Sequence, residues 1–209
     1  IVVSGPSGVG KGTMLTSLLG RRSDLVFSIS ATTRNPRPGE VHGRHYHFLD
    51  HSTFSAWVEQ GRFLEWNQVH DQFYGTPRDF VEQQRQHGLN VVLDIDVQGA
   101  LQVMRSEPDH VSIFIVPPDL ETLRQRLTNR GTETPEQVQT RMLTARVELR
   151  AVDQYHYTVI NDEIERASAN LESIIVAESS RTKRLREGNG IPRFESPPGI
   201  EAPSGGLGV

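Results

Sequence analysis

The residues best equipped for chemistry lie in one run. Positions 5–13 read GPSGVGKGT and follow the short apolar segment Ile1-Val2-Val3-Ser4. A glycine-rich turn between a buried strand and a helix, ending in a lysine, is a cradle for phosphate. Gly5, Gly8 and Gly10 open backbone conformations that side chains would block, so consecutive N–H groups can point at phosphate oxygens. A helix starting near Lys11 contributes its positive end, and the Lys11 ammonium contributes a full charge. The spacing is that of a Walker A motif with one departure: Gly12 stands where Ser or Thr is usual, so the hydroxyl that would touch Mg²⁺ is missing. Thr13, one helical position later, points elsewhere and is read as a phosphate contact. The run Gly5, Pro6, Ser7, Gly8, Val9, Gly10, Lys11, Gly12 and Thr13 therefore predicts a site for a nucleoside triphosphate. An ordinary Gly-rich turn is the plain alternative, which strand, loop, lysine and helix in this order disfavour.

A second cluster is Ser30-Ala-Thr-Thr-Arg34-Asn-Pro-Arg37-Pro-Gly-Glu. Pro36 and Pro38 stiffen an extended turn that keeps Arg34 and Arg37 close. Neighbouring guanidiniums repel unless an anion sits between them, and their forks suit phosphate oxygens. Tyr46 can add a hydroxyl to the same group. A pair of solvated arginines is the bland reading. Leu93-Asp94-Ile95-Asp96 ends an apolar run with two acids, at the place where open α/β sheets bind ligands. For Asp96 two roles stand side by side: holding water around Mg²⁺, or capping the helix that starts at Val97.

These groups need a scaffold. Short β-branched runs at 1–3, 26–29, 91–93, 111–116 and 157–160 read as buried strands. Helical patterns lie between them: 13–19 after the phosphate loop, a helix opened by Asp119 with Leu120, Leu123 and Leu127 on one face, and 163–180. The alternation predicts an α/β fold, a P-loop NTPase-type parallel sheet flanked by helices. Two stretches interrupt it. Residues 30–83, rich in His, Arg, Gly and aromatics, read as a small mixed insert with half-exposed strands around 44–48 and one helix near 53–59. Residues 127–141 read as an Arg-rich mobile excursion, with Pro135 in the first turn of the helix that follows. Core segments are thus expected at 1–29, 84–126 and 142–187. The Pro/Gly/Ser-rich 188–209 are expected to be a disordered tail.

The chain of 209 residues suffices for one domain with inserts. Its 26 acidic and 22 basic side chains argue against bulk electrostatic binding of nucleic acid. The absence of cysteine excludes disulfides and thiolate metal sites. The eight histidines show no zinc spacing, and no apolar stretch reaches membrane-spanning length. A cytoplasmic enzyme without an obligatory protein partner is the expectation. Because the sequence opens on a core strand without Met, a short preceding segment is expected too.

GPSGVGKGT, SATTRNPRPGEVHGRHYHF, FLEW, FYGTP and LDIDVQGA, in that order, resemble the guanylate kinase family, and the similarity runs from Ile1 to about Glu187. The resemblance implies transfer of the terminal phosphoryl group of ATP to GMP with Mg²⁺, a GMP-binding insert at 30–83 and a helical lid at 127–141. It implies that Ser30, Glu65, Asp94 and Thr76 surround guanine and that Arg34, Arg37, Tyr46 and Tyr74 hold the GMP phosphate. It further implies that Arg126, Arg130 and Arg141 cover the ATP phosphates, that Asn161 contacts adenine, and that Lys11, Arg34, Arg130 and Arg141 act on the reacting groups. On sequence alone Glu65 equally suits a surface strand edge. Mg²⁺ is expected to be held through phosphates and water, near Asp96, without direct protein ligands. A non-catalytic binding module of this type would lose Lys11 or the substrate arginines. A relative with a non-nucleotide acceptor would not need Ser30, Glu65 and Asp94 together. All are present.

Overall fold

A computed structural model describes residues 1–69, 71–129 and 134–187. The predicted tail at 188–209 and Arg130 lie outside the described residues. Two compact units divide the chain at 173/174, and the nucleotide-related residues all belong to the first. In the second, Glu178 is buried and pairs with Arg181 and Arg184, and a short helix spans Thr182–Glu187.

Strand β1 (Val2–Ser4) leads through the glycine loop into helix α1 (Lys11–Leu19), and β2 spans Leu25–Phe27. The insert follows with β3 (Ala31–Thr32), β4 (His47–Phe48), α2 (His51–Glu59), β5 (Phe63–Val69) and β6 (Gln72–Pro77). The chain returns through α3 (Arg78–Gln86), β7 (Asn90–Asp94), α4 (Val97–Ser106) and β8 (Ser112–Val116). Helices α5 (Leu120–Thr128) and α6 (Pro135–Glu148), a 3₁₀ turn (Leu149–Gln154), β9 (Tyr157–Ile160) and α7 (Ile164–Ser179) complete the order.

The five predicted strands form one parallel sheet in the order β2-β7-β1-β8-β9. The inner strands β7, β1 and β8 are legible as apolar runs because both faces are covered, whereas the edge strand β9 leaves Thr158 and Ile160 exposed. Val2, Val91, Leu93 and Phe114 pack with Val97, Ala100 and Val103 of α4 on one face. Alternation sends Val3, Val92, Ile113 and Ile115 to the other, where they too are buried. α5 starts where Asp119 caps it by accepting from the Thr122 N–H at 2.7 Å. α6 starts at a capping box between Thr134 and Gln137 with Pro135 at its first position.

Three boundaries differ from expectation. α3 begins inside the stretch assigned to the insert, yet Val81 is buried with Val91 and Leu93, so this helix packs with the central sheet and the insert's own sheet ends at Pro77. Only His47–Phe48 of the alternating 44–48 run is strand, with an isolated bridge from His42 to Tyr46. There Gly43 adopts φ 76° and His45 Nδ1 accepts from the Val41 N–H, which turns the chain instead of extending it. The stretch expected as an excursion at 127–141 overlaps helix at both ends, since α5 runs to Thr128 and α6, starting at Pro135 as expected, carries Arg141.

The insert has a four-stranded sheet, β4-β3-β6-β5, over a small aromatic core in which Phe54 stacks on Phe63 and Phe73. Its edge strand β5 serves both bodies: Phe63 belongs to the aromatic core and Leu64 to the main one.

Candidate functional site

The phosphate loop leaves β1 at its carboxyl end beside β7, whose Asp94 lies in register with Val3. Gly10 caps α1 at φ 98°, a left-handed conformation that L side chains rarely adopt, and a Cβ there would also strike the amide of Asn161. Lys11 Nζ donates to the Gly5 carbonyl at 2.6 Å, closing the loop on itself. Side chains from three further elements fix its shape. Asn161, 3% exposed at the end of β9, donates to the Val9 carbonyl at 2.7 Å. Arg126 at the end of α5 reaches the same carbonyl at 3.4 Å and that of Asp162 at 3.3 Å. Arg141 on α6 donates to Ser7 Oγ at 3.2 Å. Thus Arg126, Arg141 and Asn161 converge on the loop, with Asn161 under it as a support rather than beside it. Its Oδ1 is buried without a hydrogen-bond partner. Gly12 and Thr13 are exposed, and a Cβ on Gly12 would meet nothing within 4 Å, so the missing hydroxyl is not imposed by packing.

On the insert side, β5 and β6 bring Glu65 opposite Thr76, and the Thr76 hydroxyl donates to Glu65 Oε1 at 2.6 Å. Glu65 is 5% exposed. Burial, helped by the charge of Asp96, pushes its carboxyl up to about 7, against the pull of the Thr76 bond. Asp94 is solvent-reachable yet enclosed by protein on most sides. That enclosure raises its carboxyl above the usual range, and the Lys11 charge opposes the rise. Asp96 caps α4, accepting from the Gly99 N–H at 2.8 Å, while its other oxygen accepts from Asn67 Nδ2 at 3.3 Å. Of its two expected roles the structure thus displays the cap. Ser30 sits at the mouth of the insert, half-buried, its carbonyl taken by the His47 N–H at 2.9 Å.

Arg34, Tyr46 and Tyr74 meet. The guanidinium carbon lies 5.4 Å from the Tyr46 ring centre, and the two tyrosine rings are 6.2 Å apart edge to face. Arg37 is exposed on the same turn. Sequence reasoning missed the partner of Arg34. Glu40 takes both arms of its fork at 2.9 Å each and the Arg37 N–H at 2.7 Å. These bonds hold the Glu40 carboxyl down at about 2. The acid in the proline-stiffened turn was the available signal, since a fork needs an anion to be aimed. If Glu40 aims Arg34, Glu40→Gln should raise the KM for the phosphate-bearing acceptor by about tenfold with kcat within about twofold. An unchanged KM in steady-state kinetics would make the pair a surface ornament.

An anion cradle at the carboxyl end of the sheet's central strand, together with an arginine–tyrosine cluster and a buried carboxylate on the insert, supplies groups suited to two phosphates and a hydrogen-bonding base. Such a loop on such a sheet defines a P-loop nucleotide-binding protein. Residues 1–178 match the family model for guanylate kinase, and the chain belongs to that family. It is 49% identical over 187 residues to a guanylate kinase of Clostridium perfringens strain 13, covering 90% of this chain and 87% of that one. It is 50% identical over 184 residues to one from Syntrophomonas wolfei, covering 88% and 94%. The crystal structure of guanylate kinase from Anaplasma phagocytophilum superposes with a TM-score of 0.73 at 35% identity, over 89% and 90% of the two chains.

Proposed function

We propose that the cleft between the phosphate loop and the insert transfers the terminal phosphoryl group of ATP to GMP, with the roles divided among the residues as follows. A GMP phosphate oxygen attacks the γ-phosphorus of ATP, the bond from that phosphorus to the β–γ bridging oxygen breaks, and GDP and ADP result. The observation that carries this reading is the buried Glu65–Thr76 pair, in a chain that also carries the Lys11 phosphate loop. Guanine offers N1–H and its 2-amine side by side, and the Glu65 carboxylate accepts from both; adenine would place the N1 lone pair against that charge. Ser30, Thr76 and Asp94 complete the base site, and Arg34, Arg37, Tyr46 and Tyr74 hold the GMP phosphate.

At the ATP end the loop from Gly5 to Thr13 receives the phosphates, and Asn161, expected at the adenine, instead braces that loop from beneath through its bond to the Val9 carbonyl. Lys11, Arg34 and the lid arginines Arg126, Arg130 and Arg141 neutralise charge spread over the transferring group, because a loose transition state asks mainly for alignment and charge. The insert at 30–77 and the lid at 127–141 close over the substrates and exclude water. Mg²⁺ suits the donors present. Among the described residues no group of three or more His, Asp or Glu side chains could cage a metal, and Gly12 has no hydroxyl. The ion would keep phosphate and water ligands with Asp94 and Asp96 outside its first shell, and when bound it supplies countercharge to the phosphate oxygens. Among the described residues no helix is long and apolar enough to cross a membrane. The cytoplasm, with its ATP and GMP, is the setting proposed, and no protein partner is required by this chemistry.

Incubation with γ-labelled ATP and GMP should move the label into GDP one for one with ADP; label released as inorganic phosphate alone would contradict the transfer. Arg141→Ala should lower kcat by about a hundredfold while ATP affinity changes by only a few-fold, if the guanidinium acts on the transition state. Equal losses in both would reduce Arg141 to a ground-state contact.

A further inference from the structure

Glu65 sits at an awkward place in its own sheet. β5 is the edge strand of the insert, so one side of its backbone has no neighbouring strand. The β5–β6 ladder also shifts register between Phe63 and Glu65, an irregularity of the kind that re-aims a side chain. Within the insert the Thr76 hydroxyl holds only Oε1, so the ladder leaves the placement of Oε2 to another element.

Helix α4 supplies what the sheet lacks. The Gln102 carboxamide accepts from the Trp66 N–H at 3.4 Å and donates to the Trp66 carbonyl at 2.9 Å. It gives one residue of the edge the paired bonds that a neighbouring antiparallel strand would give. One turn earlier on the same helix face, Gly99 leaves the space that the Glu65 carboxylate fills, and a Cβ there would overlap Oε2. At the helix start, Asp96 takes the amide of Asn67. Three successive residues of β5 are thus tied to three positions of α4, each spaced by three.

We infer that Gln102, acting with Gly99, is a positioning residue for base selectivity: it locks the Trp66 peptide so that the Glu65 carboxylate faces both guanine donors at once. The inference rests on Glu65 reading guanine. Its consequence is that helix α4 of the main body, not the insert sheet, sets how well the enzyme distinguishes GMP from IMP, which keeps N1–H but lacks the 2-amine.

The test compares kcat/KM for GMP and IMP in Gln102→Leu, Gly99→Ala, Glu65→Gln and the Gln102→Leu/Glu65→Gln double variant, with thermal melts alongside. The Leu variant keeps the volume and removes both bonds. The Ala variant pushes only on the flexible end of Glu65. Each should cut the GMP/IMP preference by about tenfold through KM for GMP, with KM for ATP and kcat within about twofold. In the Glu65→Gln background, Gln102→Leu should add no further loss of preference, because the group it positions is gone. A lower Tm with the preference intact in both single variants, while Glu65→Gln abolishes it, would make Gln102 merely structural and overturn the inference. If Glu65→Gln itself leaves the preference intact, the reading of Glu65 fails first and the inference falls with it.

Discussion

Glu65→Gln is expected to lower kcat/KM for GMP by about a hundredfold while leaving the KM for ATP nearly unchanged. The carboxylate is acceptor-only and faces two donors of the base; the amide turns one of its ends into a donor and loses the charge. The same change should stabilise the protein at alkaline pH. Burial raises the Glu65 carboxyl from 4.5 to about 7, so the folded state holds this proton more tightly than the unfolded state does. The resulting cost to stability is absent below pH 4.5, grows as pH rises to about 7 and is constant above it, where it reaches on the order of 3 kcal/mol. Gln, which still accepts from Thr76, avoids that cost. Melts at pH 8 should therefore show the variant several degrees above the parent, with the gap closing towards pH 4.5. In the parent, kcat/KM for GMP should fall as pH drops below about 7 and the carboxylate takes up a proton, a limb that the variant lacks. A variant that keeps its GMP preference, or that is less stable at pH 8 than at pH 5 relative to the parent, would contradict the assignment.

Lys11→Met should lower kcat by about a thousandfold with the fold intact. The ammonium is the one cation built into the phosphate loop itself, and its bond to the Gly5 carbonyl holds it at the loop's mouth. Charge on the transferring group is what such a residue neutralises, so the loss should fall mainly on kcat and less on KM for ATP. Met keeps the length and the packing of the stem. Single-turnover kinetics separate the chemical step from product release, and a variant with parental single-turnover rate would remove Lys11 from the reaction.

Much of the architecture was legible because its physics is local. A strand covered on both faces must be apolar, which is why β1, β7 and β8 stood out, and the phosphate loop carries its backbone requirements in its glycines. The 44–48 run misled because alternation marks a half-exposed strand only where nothing turns the chain, and the His45 ring captures a backbone N–H there. Partners distant in sequence left no trace. Nothing around Asn161 announces its bond to Val9 across 152 residues, and nothing around Gln102 announces Trp66. Glu65 was singled out by resemblance alone. A single carboxylate on a strand has no periodic signature, and its burial depends on Gly99 making room from another element. Glu40 lies between these cases: it was visible beside the arginines, but its pairing with Arg34 depends on how the turn folds.

The most direct test of the central claim is the rate of ADP formation from Mg·ATP with GMP, dGMP, AMP, UMP and CMP offered separately. Strong turnover with GMP, weaker turnover with dGMP and none above background with the others is the result expected of this cleft. Turnover with AMP as fast as with GMP, or none with any acceptor from a folded protein, would contradict it.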